Sequence, residues 1–134
     1  MSQDSKVDQI IYSMEVIKQQ LEEIEGQEQS LSMILQDLMT TIEFVRNISK
    51  AEGVSLIPIG RGLYVEAEVK NRERVLVDIG ASTYKKTGVE DALAVLNDRL
   101  NEVSSALESA RNTETSLQKR YTQLEDYINR VYKK

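Results

Sequence analysis

Leu56-Ile57-Pro58-Ile59-Gly60-Arg61-Gly62-Leu63-Tyr64 is answered twenty residues later by Leu76-Val77-Asp78-Ile79-Gly80-Ala81-Ser82-Thr83-Tyr84. The repeat keeps an aliphatic pair, a third aliphatic residue, a glycine, a small residue and a tyrosine at equal spacing. Around these landmarks the apolar residues have period two. Leu63, Val65, Ala67 and Val69 alternate with Tyr64, Glu66 and Glu68, and Val75, Val77 and Ile79 alternate with Arg74, Leu76 and Asp78. Such alternation gives a strand with one buried face. Gly60-Arg61 and Gly80-Ala81 each interrupt two such runs, and a two-residue Gly-X connection suits a type II′ turn, whose first central residue needs positive φ. The segment from Val54 to Thr87 therefore reads as two β-hairpins in tandem, entered through Gly53, with Pro58 barring helix continuation.

Outward from the hairpins the period changes from two to the heptad. With Val7 at position a, the seam of the first arm reads Val7, Ile10, Met14, Ile17, Leu21, Ile24, Glu28, Leu31, Leu35, Leu38, Ile42 and Val45. The second arm gives Leu93, Leu96, Leu100, Val103, Leu107, Ala110, Glu114, Leu117, Tyr121, Leu124, Ile128 and Val131. One position in each arm is charged and the rest are apolar or aromatic. A narrow seam sustained this long is buried only by a second helix with the same pattern. Each arm covers roughly forty residues, or about 60 Å of helix at 1.5 Å per residue.

Equal arms on either side of a short module fold back antiparallel most economically. Placing Val45 opposite Leu93 makes facing seam numbers add to 138, which also sets Val7 against Val131. Glu28 then faces Ala110 and Glu114 faces Ile24, so both polar breaks fall in adjacent layers, as a register device or a local soft spot. The expected fold class is mostly α with a small β module: an antiparallel two-helix coiled coil joined by two tandem hairpins. As one domain it divides into a helical arm over residues 1–52, an assembly module over 53–88 and a second arm over 89–134.

Composition narrows the function. The 134 residues contain no cysteine and no histidine, which removes disulfides, thiolate nucleophiles and the commonest general base and metal ligand. The paired carboxylates Glu22-Glu23 and Glu90-Asp91 lack a cleft that would tune them, and Glu90 and Asp91 suit the first turn of the second arm. No enzyme, cofactor or metal site is expected. Net charge is -5, with basic residues interleaved among acidic ones, so no nucleic-acid stripe is expected. Lys70, Arg72, Arg74, Lys85 and Lys86 read as a solvated strand connection, and Gly60-x-Gly62 as a turn without the lysine or helix start of a phosphate loop. No run approaches a membrane span and no signal-like h-region opens the chain, so a cytoplasmic protein without membrane partners is expected.

The motif from Leu56 to Val65, followed by Val75-Leu76-Val77-Asp78-Ile79-Gly80-Ala81, closely resembles the α-class subunits of prefoldin, of the archaeal type related to the eukaryotic α-class subunits. The resemblance covers essentially the whole chain, because α-class subunits have long arms around two hairpins while β-class subunits have one. It implies a hexamer of two α-class and four β-class subunits, with hairpins forming a β-barrel platform from which coiled coils hang. It further implies ATP-independent capture of unfolded client proteins between the coiled-coil tips and delivery to a group II chaperonin. Ser82 departs from the family, which usually has a second glycine in that turn.

Candidate assembly residues are Leu56, Ile57, Ile59, Leu63, Val65, Val75, Val77 and Ile79. Candidate client-binding residues lie at the free ends: Val7, Ile10, Ile11, Tyr12, Met14, Tyr127, Ile128, Val131 and Tyr132. Several of these, with Val16, are off the seam, and a coil that only closed on itself would not need them. A second off-seam group, Met39, Phe44 and Ile48, is expected to pack beneath the hairpins. The alternative function is a structural coiled-coil scaffold subunit that binds no client.

Overall fold

The computed structural model describes residues 3–132, so Met1, Ser2, Lys133 and Lys134, at the ends of the two arms, lie outside the described residues. The order is helix α1 (Gln3–Ile48), strands β1 (Val54–Gly60), β2 (Leu63–Glu68), β3 (Arg74–Gly80) and β4 (Thr83–Gly88), then helix α2 (Val89–Tyr132). The fold is thus two long helices with two antiparallel β-hairpins between them, each hairpin a separate two-stranded sheet.

Two compact units divide the chain. The first is built from residues 1–35 and 103–134, so the start of α1 and the end of α2 pack antiparallel. Its seam runs from Val7 to Leu35 on α1 and from Val103 to Val131 on α2, and every heptad a and d side chain there is buried or half-buried. Val7, Ile17, Leu107 and Ala110 are the deepest. Glu28 is held in this seam with its Oε1 buried and without a hydrogen-bond partner. A buried acceptor left unmatched costs about 1–3 kcal/mol, so the charged heptad position is a weak layer in an otherwise apolar seam.

The second unit, residues 36–102, contains the hairpins and the helix ends that carry them. Here too the seam positions are covered, with Ile42, Val45 and Ala92 buried. Thr41 and Val45 of α1 line one cleft with Ala92, Val95, Leu96 and Arg99 of α2. Val75, Leu76, Val77 and Asp78 of β3 complete that cleft. Of the second off-seam group, Ile48 is buried and Phe44 half-buried, whereas Met39 stays exposed along a groove with Gln36, Thr40 and Glu43.

The repeat seen in the sequence is a repeat of structure. Strand bounds and pairing advance together by twenty residues: Val54 pairs with Glu68 and Arg74 with Gly88, while Ile57 pairs with Val65 and Val77 with Lys85. In both hairpins the register slips just before the turn, between Pro58 and Gly60 and between Asp78 and Gly80. A bulge at that point tolerates Pro58, which has no N–H for the ladder. It also moves the turn by one residue from the position expected. Gly60 pairs with Leu63 and Gly80 with Thr83, leaving Arg61-Gly62 and Ala81-Ser82 as the central pairs. All four central residues have positive φ (53°, 79°, 52° and 58°), as a type I′ turn requires and a type II′ turn does not. Asp78 Oδ1 accepts the Gly80 N–H at 2.8 Å and so secures the second bulge.

Candidate assembly and client-binding surfaces

The hairpins are joined to the helices by few atoms, all of them specific. At the end of α1, the Asn47 carbonyl accepts from the N–H groups of Lys50 and Ala51, both at 3.0 Å. Arg72, in the connection between hairpins, donates through Nη1 to the Ile48 carbonyl at 3.1 Å and through Nη2 to the Gly53 carbonyl at 2.6 Å. The same Nη2 donates to Ser55 Oγ at 3.2 Å. Helix C-termini leave carbonyls without intrahelical partners, and a guanidinium there answers both the hydrogen-bonding need and the helix dipole. The sequence reading placed Arg72 with the solvated charges. The structure corrects this: Arg72 is half-buried and structural, while Lys70, Arg74, Lys85 and Lys86 remain exposed.

Asn71 Oδ1 accepts from the N–H groups of Glu73 and Arg74 at 3.0 and 3.1 Å, an Asx turn that starts β3. The Val89 N–H donates to the Glu73 carbonyl at 3.1 Å, so the first residue of α2 is tied to the residue that precedes β3. Glu90 and Asp91 occupy the first turn of α2, where the dipole favours negative charge.

Cross-strand partners define the faces of each hairpin. Ile57 and Val65 share one face of the first, with Ser55 and Ala67. Val54, Leu56 and Tyr64 share the other with Glu66 and Glu68. In the second hairpin Val75 and Val77 lie on one face, while Leu76, Tyr84, Asp78 and Lys86 lie on the other. Of the candidate assembly residues, Ile57, Val75 and Val77 are half-buried; Leu56, Ile59, Leu63, Val65 and Ile79 are exposed. Val54, Tyr64, Leu76 and Tyr84 join the exposed set, Leu76 being 67% exposed. A two-stranded sheet with uncovered apolar faces is marginal by itself in water.

At the far end of the first unit the candidate client residues divide in three. Val7 is only 2% exposed and belongs to the closed seam. Ile10, Met14, Tyr127, Ile128 and Val131 are half-buried. Ile11, Tyr12 and Tyr132 are open, at 46%, 72% and 66%. Sequence reasoning missed one further exposed pair in this unit, Met33 and Ile34. Their signal was two apolar residues in succession at heptad positions f and g, which a closed seam leaves on the surface.

Two helical arms around tandem hairpins, with apolar hairpin faces uncovered, define a coiled-coil subunit of a larger assembly. The sequence profile described as "Prefoldin subunit" matches residues 17–134. The chain is 31% identical over 116 residues to prefoldin subunit alpha of Methanoculleus marisnigri, covering 84% of this chain and 78% of that one. It is 29% identical over 115 residues to prefoldin subunit alpha of Thermofilum pendens, covering 84% and 89% respectively. Its fold matches that of a chain in the cryo-EM structure of filamentous PFD from Methanocaldococcus jannaschii, with TM-score 0.67, 20% identity and coverage of 87% and 96%. The chain belongs to the prefoldin family. No helix among the described residues is long and apolar enough to cross a membrane.

Proposed function

We propose that this chain is the α-class subunit of a cytoplasmic, ATP-independent chaperone of two α-class and four β-class subunits, which holds unfolded proteins and passes them to a group II chaperonin. The observation that carries this reading is the uncovered apolar surface of the hairpins, where Leu56, Leu63, Leu76, Ile79, Tyr64 and Tyr84 are all exposed. That surface needs other subunits to exclude water, and the likeness to prefoldin α subunits supports β-class subunits in that place. The hairpins then serve assembly, through Leu56, Ile57, Ile59, Leu63, Val65, Val75, Val77 and Ile79. The coiled-coil end serves clients, through Ile11, Tyr12 and Tyr132 first, with Val7, Ile10, Met14, Tyr127, Ile128 and Val131 exposed by fraying of the last turns. Such contacts are individually weak, and several ends must engage one client to retain it.

Changing Ile11, Tyr12 and Tyr132 together to serine should leave the size of the assembly unchanged and reduce its suppression of aggregation of a denatured protein several-fold without nucleotide. Undiminished suppression would move the client site elsewhere. Burial of Val7 favours the second reading, a scaffold with closed ends, and that outcome would support it.

A further inference from the structure

The two helices of the first unit differ in what their outer faces carry. On α1, the heptad positions b, c and f from Ser5 to Met33 hold the charged residues Asp8, Glu15, Glu22 and Glu23, all exposed and all negative. The bases of that stretch, Lys6 and Lys18, stand at positions g and e beside the seam. On α2, the same three positions from Ser105 to Arg130 are exposed and hold Ser, Thr, Asn and Gln, with Glu108 and Asp126 balanced by Lys119 and Arg130. Apolar side chains divide in the same way. Tyr12 and Met33, 72% and 62% exposed, both stand at position f of α1. Over that span of α2 no outer position holds a large apolar residue.

On α1 the apolar and acidic residues interleave. Asp8 lies four residues before Tyr12 and Glu15 three after it, the spacings that make neighbours on a helix surface. Glu22 and Glu23 stand in the same relation to Gly26, which opens a shallow cleft with Gln27, Ser30 and Leu31. Nothing lies within 4 Å of a Cβ added at Gly26, so the helix surface dips there before Met33. Tyr12 and Met33 are about 31 Å apart at 1.5 Å per residue, a distance that an extended segment of about nine or ten residues spans. We propose that the outer face of α1, and not that of α2, is the client-contacting flank of this arm, and that it selects unfolded segments in which lysine or arginine is interleaved with apolar residues. This rests on the reading of the coiled-coil end as a client site, carries that surface from Tyr12 to Met33 and names the class of segment taken. A cation on this face meets carboxylates and, at Tyr12, the face of an aromatic ring that attracts it. An acidic segment meets only charges of its own sign. Apolar contact supplies affinity for any unfolded chain, and the carboxylates decide which chains are held.

Two fluorescein-labelled peptides test this on the assembled protein. They share the same leucine, valine and phenylalanine positions, with lysine between them in one and glutamate in the other. By fluorescence anisotropy the lysine peptide should bind about tenfold more tightly at low salt, and added salt should narrow the difference. A benzophenone amino acid in place of Gln19 on α1 should crosslink the lysine peptide several-fold more than the glutamate peptide. The same group in place of Asn112 on α2 should crosslink neither. Neutralising the face by Asp8→Asn, Glu15→Gln, Glu22→Gln and Glu23→Gln should make the two yields at Gln19 equal. Tyr12→Ser with Met33→Ser should instead lower both yields and keep their ratio. Equal yields on the unaltered face, a preference that survives neutralisation, or crosslinking at Asn112 as strong as at Gln19 would overturn the proposal while both peptides still bind, leaving the client reading intact. If the assembled protein binds neither peptide, the client reading fails and the proposal with it.

Discussion

The Arg72 guanidinium donates to the carbonyl oxygen of Ile48 at 3.1 Å across a separation of 24 residues, so the connection between the hairpins closes the end of the first helix. Because Nη2 also reaches Gly53 and Ser55, one side chain fixes the helix end, the tight turn after it and the first strand. Arg72→Ala should destabilise the chain by about 1.5–3 kcal/mol, the range for hydrogen bonds to a charged group. Arg72→Lys should recover little of this, since an ammonium lacks the planar fork that serves two carbonyls at once. Urea unfolding of the assembled protein checks both, and a lysine variant as stable as the original would show that charge alone suffices.

Glu28 gives a prediction of opposite sign. Its Oε1 is buried without a partner, so Glu28→Leu removes an unmet acceptor and completes the seam. The gain should be about 1–3 kcal/mol in the unfolding of the coiled coil. A loss of stability would mean that the carboxylate is needed to hold the register.

The register itself is open to a direct measurement. Ile17 and Tyr121 both occupy the seam of the first unit, where Ile17 is buried and Tyr121 half-buried. Cysteines at these two positions should crosslink within one chain under mild oxidation. Pairs displaced by one heptad should not, and efficient crosslinking of a displaced pair would refute the alignment of Val7 with Val131.

The two turns should respond oppositely to glycine. Ser82 has φ 58° and Gly62, at the equivalent place, has φ 79°. A side chain in this left-handed region costs about 1–2 kcal/mol. Ser82→Gly should therefore raise stability by about 1 kcal/mol and Gly62→Ala should lower it by a similar amount, read as shifts in the thermal midpoint of the assembly. No atom stands within 4 Å of a Cβ added at Gly62, so backbone strain alone sets that loss.

The helices and hairpins were legible because their signals are local and periodic. The seams from Val7 to Val45 and from Leu93 to Val131 are unbroken in phase, and every one of their positions is buried or half-buried. The turns were displaced by one residue because nothing in the sequence announces a bulge at Ile59 or Ile79. Gly60 is needed there for its positive φ at the bulge, just before the turn, and not as its first central residue. Arg72 was misread for a different reason. Its partners are backbone carbonyls at Ile48 and Gly53, and carbonyls have no sequence signature. The open and closed members of the client set could not be separated either: Val7 and Ile11 are both aliphatic, and only the phase of the helix tells that one is inside.

The twenty-residue offset between the hairpins has an evolutionary consequence. Removal of residues 61–80 would join Gly60 directly to Ala81, placing β1 before an intact Ala81-Ser82 turn and β4, with both helices unaltered. One in-frame deletion, or the reverse duplication, thus converts a two-hairpin chain into a one-hairpin chain without disturbing the phase of either heptad seam. What such a shortened descendant loses is Arg72, and it would have to find another donor for the carbonyls of Ile48 and Gly53.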